Sequence, residues 1–219
     1  MPQASGLQFT ATIGEYSSDH FSVVGFALTE RLSELFQGRL DLASTDPSVV
    51  ASKVLEQPVD LVIWQDRAPL RRFTGVVSEF ARGDSGHRRT RYELVFRPPL
   101  WRLALMHNSR IFQNRGTDEI VRTLLEERGV VDTVFDLERR PEEREYCVQH
   151  RESDLAFVER LAAEEGWHYR YQHGSLDGQE PPALVFADHH RDSPRLEAVP
   201  YNGKAGGSTR TPCVFRFAY

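Results

Sequence analysis

Cysteine is scarce in this chain of 219 residues: only Cys147 and Cys213 occur. Two cysteines cannot supply a disulfide framework, so the fold must rest on a hydrophobic core, and a reducing compartment is expected. Long apolar runs are lacking too. No stretch approaches the roughly 20 residues that span a bilayer. The opening MPQASGLQFT has no basic segment followed by an apolar one. Neither a membrane anchor nor a signal peptide is expected, and the chain is expected to be made in the cytoplasm. Positive charge is not in surplus, with 27 Lys and Arg against 32 Asp and Glu, a net −5. Nucleic acids and anionic membranes are bound by concentrated Lys and Arg, so neither is an expected partner. No GxGxxG, P-loop, HExxH or GxSxG is present, which leaves an enzyme reading without a strong motif. What the chain does have is 40% hydrophobic and 27% charged residues, the balance of a globular protein with a real core.

The first hundred residues read mostly as strand. LQFTAT (7–12), SVVGFALTE (22–30), GRLDLAS (38–44), VDLVIWQ (59–65), RRFTGVVSEFAR (71–82) and RRTRYELVFRP (88–98) are short, with partial alternation. GDSGH (83–87) between the last two predicts a hairpin tip. In YELVF the period of two puts Tyr92, Leu94 and Phe96 on one face. A helix is predicted after Asp46 as cap and Pro47 at its first position, with Val49, Val50, Val54 and Leu55 as its apolar face and Pro58 beyond its end. PPLW (98–101) breaks the strand pattern. Thr117 then precedes DEIVRTLLEERG, where Ile120, Val121, Leu124 and Leu125 line one face and Gly129 suits the C′ position. REYCVQ (144–149) reads as a strand. Ser153 caps a second helix carrying Leu155, Val158, Leu161 and Ala162, and Gly166 stops it. WHYRYQH (167–173) and ALVFAD (183–188) are strands again. A polar, glycine-rich stretch leads to CVFRFAY (213–219), a strand pattern that stops midway, so the chain is expected to be truncated there. Strand blocks interrupted by two short helices, near 117–128 and 153–165, predict a mainly β fold with α decoration (α+β).

Several residue sets invite a chemical reading. Cys147 and His150 form a C-x-x-H pair, and His168, His173, His189, His190 and Cys213 could add ligands, but no second spaced pair exists. A strand cysteine buried as a small hydrophobe is the simpler account. Cys147 with a histidine could instead be a nucleophile and its base; no local signature surrounds it. Glu159, Glu164 and Glu165 fall on the wet side of their helix rather than in a carboxylate pair. DHHRD (188–192) resembles a metal tract yet lacks a spaced further ligand, and a solvated turn is favoured. Arg82-Gly83-Asp84 is too short to carry weight. No catalytic, cofactor-binding or metal residue is assigned on these grounds.

One set of segments points further. RRFTGVVSEF (71–80), YELVFRP (92–98), WRL (101–103), SRIFQN (109–114), DEIVRTLLEERG (118–129), REYCVQHRESDLAFVERLAAEEG (144–166) and LVFAD (184–188), in that order, resemble the N-terminal region of VgrG proteins, the spike components of type VI secretion systems. The same region is similar to phage late control protein D and contractile tail hubs. The resemblance implies two related β-barrel hub domains: 1–105, left incomplete without a downstream segment; 106–200; and 201–219 as the start of a returning segment. It implies a non-enzymatic homotrimer whose six barrels match the hexameric tube protein Hcp, with baseplate and effector proteins as further partners and export by the type VI machine. A contractile phage tail hub is the alternative, and a hydrolase using Cys147 a third. In this frame Arg151, Glu152 and Asp154 either tie the strand to the helix or form ion pairs between subunits, the first being favoured.

Overall fold

Alternation in the first hundred residues is realised as one antiparallel sheet. The computed structural model describes residues 6–191. Strands β1 (Leu7–Ile13), β2 (Ser22–Thr29), β3 (Gln37–Ser44), β4 (Pro58–Gln65), β5 (Ala68–Ser85) and β6 (Thr90–Arg97) pair in the order β1-β4-β5-β6-β3-β2. Leu40 and Leu42 of β3 and Tyr92, Leu94 and Phe96 of β6 point to one buried face, as the period of two requires. Bulges at Val23/Gly25, Ile63/Trp64 and Val77/Glu79 add local twist and help the sheet curl into a half-barrel. The two edges approach without sharing a ladder: Phe9 of β1 and Phe26 of β2 meet edge to face at 5.2 Å. Gly38 is needed where the sheet curls, because the ring of its cross-strand partner Phe96 occupies the place of a β-carbon.

The hairpin tip expected at 83–87 lies slightly later. Gly83 to Ser85 continue β5, and the turn falls between Ser85 and Thr90. The helix expected after Asp46 is not formed. Only a single 3₁₀ turn, Ala51–Lys53, is present there, and Val50 is extended. Asp46 uses its carboxylate on the Ser48 N–H (2.8 Å) and hydroxyl (2.6 Å), a local turn that competes with helix. Val49 and Val54 reach the core from this loop, while Val50 and Leu55 stay exposed.

Pro98 and Pro99 end the sheet, and a 3₁₀ stretch (Pro99–Leu105) leads into the second block. It comprises β7 (His107–Arg115), α1 (Thr117–Glu127), β8 (Thr133–Asp136), β9 (Arg144–Ser153), α2 (Asp154–Glu165), β10 (His168–Gln172) and β11 (Ala183–Ala187). β7 and β9 form an antiparallel ribbon, and β10-β11-β8 a separate three-stranded sheet with β8 parallel to β11. Both helices present the predicted stripes: Ile120, Val121, Leu124 and Leu125 from α1, and Val158, Leu161 and Ala162 from α2, joined by Phe157, are buried in one core, with Leu155 at its margin. Each helix ends at a glycine with positive φ, Gly129 (67°) and Gly166 (74°), and the following N–H closes back to the carbonyl five residues earlier. Thr117 opens α1 as its first residue rather than capping it; Gly116 stands at the cap.

The described part of the chain up to His189 is one compact, mostly β unit with two hydrophobic cores, one under the curled sheet and one around the helices. No described helix is long and apolar enough to cross a membrane. Cys213 and the strand pattern CVFRFAY lie outside the described residues.

Candidate functional site

The segment that joins β9 to α2 is where sequence, charge and burial converge. The ladder between β7 and β9 steps from Ser109↔His150 to Asn108↔Glu152, which leaves Arg151 as an extra residue. It sits in the left-handed region (φ 51°), a conformation a long side chain adopts at some cost. Its N–H donates to Ser109 Oγ (3.2 Å). This bulge turns the chain so that Ser153 caps α2, accepting from the Ala156 N–H (3.1 Å). It also drives Asp154, the first residue of the helix, fully into the interior.

A carboxylate with no exposure must be paired or neutral. Asp154 is paired on every side. Asn108 Nδ2 and Gln149 Nε2 each donate to Oδ1 at 2.8 Å. Arg128 donates to Oδ2 through Nε (3.2 Å) and Nη2 (2.9 Å), and Arg110 stands 3.7 Å from Oδ1. Burial alone would push this carboxyl up. The bonds from Gln149, Asn108 and Arg128, with Arg110 nearby, outweigh it and hold Asp154 below the ordinary 3.8. One acid thus ties β7, the end of α1, β9 and α2 together.

A second set of charges runs along the wet side of α2. Arg160 pairs with Glu152 (2.7 Å) and Glu164 (3.0 Å), and Arg144 with Glu164 (2.5 Å) and Glu165 (2.6 Å). Glu165 also accepts from the Thr117 hydroxyl (2.6 Å), and Glu159 from the Tyr169 hydroxyl (2.7 Å). Glu152 and Asp154 therefore spend their charge inside the chain. Of the three residues weighed for subunit pairing, only Arg151 is exposed and outside every ion pair among the described residues.

His173 stands at the joint between the two cores. Its ring packs against Phe36 and Phe73, each at 5.1 Å. The Thr74 backbone N–H donates to Nδ1 (2.9 Å), so that nitrogen presents its lone pair and the ring proton resides on Nε2, facing Glu30 Oε1 at 2.9 Å. The bond from His173 holds Glu30 below the usual carboxylate value against the opposing effect of burial. Beside it, Ser33 N–H donates to the Tyr169 carbonyl (2.8 Å) and Arg72 reaches the Ser175 carbonyl (3.0 Å).

The chemical readings of the cysteine and histidines do not assemble. Cys147 faces the core from β9, whereas His150, three residues on, points to the opposite, exposed side. Burial pushes the Cys147 thiol up from its ordinary 9.0, which is the wrong direction for a nucleophile. His189 lies 3.4 Å from Asp136, and Asp188 accepts the N–H groups of Glu138 (2.9 Å) and Arg139 (3.1 Å), closing the loop before β9. Among the described residues no group of three His, Cys, Asp or Glu could hold a metal ion. Sequence reasoning missed Asn108, Arg110, Arg128 and Gln149 as partners of Asp154, and His173 as a joint. Nothing local marks them, since the partners stand up to 46 residues away in the chain.

The family described as phage tail baseplate hub (GPD) matches residues 29–219. The type VI secretion system spike protein VgrG3 of Vibrio cholerae is 38% identical over 218 residues, covering 95% of this chain and 21% of that protein. A second V. cholerae protein, named actin cross-linking toxin VgrG1, is 39% identical over 185 residues, 84% of this chain and 16% of its own length. Among solved structures, the E. coli c3393 protein, titled a component of the type VI secretion system similar to the T4 phage tail proteins gp27 and gp5, superposes with a TM-score of 0.68 at 26% identity. That match covers 91% of this chain and 50% of the other. The chain thus spans about a fifth of the length of the curated relatives it matches.

Proposed function

From the premise that the chain belongs to the phage tail baseplate hub (GPD) family, we propose that it is the hub base of a type VI secretion spike. The role is structural. The observation that carries the spike reading over a general tail hub is the 38% identity to VgrG3 across nearly the whole chain. In this reading residues 1–105 and 106–200 are two related β-barrel hub domains. Three copies would present six such domains in a ring, converting the threefold symmetry of the spike to the sixfold symmetry of a hexameric tube protein (Hcp) stacked behind it. Contacts that close into a ring are the physical requirement. The junction at Asp154 and the ion pairs along α2 fit a part that must carry an axial push without shearing, because they tie several elements to one another through short charged bonds. Export would follow from riding on the tube. A contractile phage tail hub has the same geometry and differs in the tube protein it docks.

The test is absolute mass by light scattering across a concentration series, alone and with Hcp or a phage tail-tube protein. A trimer, or a stable complex with Hcp alone, is the expected result. Binding only to the phage tube protein would assign the chain to a tail. A monomer that ignores both, in this span and in a chain extended to the relatives' full length, would overturn the hub reading.

A further inference from the structure

The end of the β5–β6 hairpin, residues 82–91, carries four arginines against one acid, Asp84, an excess of positive charge outside the ion pairs of the described residues. Arg82, Arg88, Arg89 and Arg91 are all exposed. None is in an ion pair among the described residues, although ten arginines elsewhere are. Their contacts are with hydroxyls: Arg82 to Ser85 Oγ (3.2 Å) and Arg89 to Ser22 Oγ (3.0 Å). The rest of the unit is charged the other way. Residues 99–191 hold 18 Asp and Glu against 12 Lys and Arg, a net −6. Within them Glu142 and Glu143, on the loop entering β9 that also carries the exposed Arg139 and Arg140, and Glu145, the second residue of that strand, are exposed and outside every ion pair among the described residues.

Within one copy the tip stands at the end of the sheet away from the joint that carries the acidic block. The tip adjoins the Ser44↔Thr90 end of the sheet, while the helical block is fastened at the other end, where Gly38 pairs with Phe96 and Phe36 meets Tyr171 and His173. Six residues of β3 separate those ends, about 20 Å at strand rise. Unlike charges carried by different blocks of one molecule favour head-to-tail contact between copies, the arrangement that closes into rings.

We infer that the occupant of the basic hairpin tip is a second copy of this chain, whose Glu142, Glu143 and Glu145 face the tip's arginines. This rests on the self-assembly reading and gives it a surface and a sign. Exposed pairs are individually weak. Several together set register and association rate, and salt screens them, with a Debye length of about 8 Å at physiological ionic strength.

The experiment is light-scattering mass against concentration at sodium chloride from about 0.05 M to about 0.5 M. It compares the chain, R88E/R89E/R91E, E142K/E143K/E145K and the combined sixfold reversal. Thermal melts check that each variant is folded, since all six positions are exposed. The chain is expected to assemble at low salt and weaken as salt rises. Each triple reversal should lose at least about tenfold in association, and the sixfold reversal should regain it. Assembly that neither triple reversal changes overturns the tip contact and leaves the hub reading standing. A tip reversal that keeps self-association but loses Hcp assigns the tip to the tube protein and also overturns it. A chain monomeric at every salt and concentration overturns the tip contact, while the self-assembly reading falls only if the chain extended to the relatives' full length is monomeric too.

Discussion

Asp154 shows how one acid decides a local fold. Removing it by Asp154→Ala strands Arg128, Arg110, Asn108 and Gln149 around an empty corner. With the two arginines still partly wet, we expect a loss of about 3 kcal/mol in denaturant unfolding. Its pH dependence has a definite sign. The folded carboxyl lies below its ordinary 3.8. The unfolded chain therefore takes up its proton first, and the contribution is fully present above 3.8 and lost as the pH falls through and below it. Asp154→Asn should flatten that part of the acid limb, measured as midpoint against pH; an unchanged limb would show that another carboxylate governs it. Cys147 marks the contrast. Its thiol is buried and pushed up, so Cys147→Ala should cost only packing, about 1–2 kcal/mol, and thiol reagents should label it slowly until the protein unfolds.

Elements separate into those the sequence announces and those it hides. Both helices were legible because their stripes recur at helical spacing and end in glycine, and the six strands of the first sheet because they alternate. β7 was not read as a strand. Its sequence HNSRIFQNR buries Phe112 on one side and exposes Ile111 on the other, so its alternation is inverted against polarity. β8 is four residues long, too short for a period to register. The helix expected after Asp46 failed because a local hydroxyl and amide captured its cap and only two of four valine and leucine positions had a core to face. The candidate site was half legible. The RESD stretch could be placed at a strand-to-helix junction, but its partners come from remote segments brought close only by the fold. Two substitutions test the elements. Gly38→Ala would drive a methyl into the Phe96 ring. It should cost roughly 2–4 kcal/mol as the sheet's curl is forced open. Leu161→Asp puts a charge at a position with no exposure and should unfold or aggregate the protein. An unchanged thermal midpoint would remove α2 from the core.

At the scale of the molecule the question is whether two cores behave as one. They meet through His173, Tyr171 and Phe36, with Ser33 and Tyr169 bonded alongside. A part that transmits force along an axis needs this joint to be stiff, since a loose one would let the halves rotate. The joint is small but mixed, with rings on both sides and a histidine bonded at both nitrogens. That favours one cooperative transition, with calorimetric and van't Hoff enthalpies in agreement. His173→Ala removes the acceptor of the Thr74 N–H and the ring between Phe36 and Phe73, a loss of about 2–3 kcal/mol. The loss falls on the joint rather than on either core. The variant's calorimetric trace should therefore broaden or divide, the helical block and the sheet unfolding at different temperatures, whereas Cys147→Ala, inside one core, should leave a single transition. A His173→Ala trace that stays single and merely shifts would mean that coupling runs through the two bonds between Ser33 and Tyr169, and the double variant with Ser33→Ala, which removes the hydroxyl that accepts from the Tyr169 N–H (3.3 Å), would then be the one to divide.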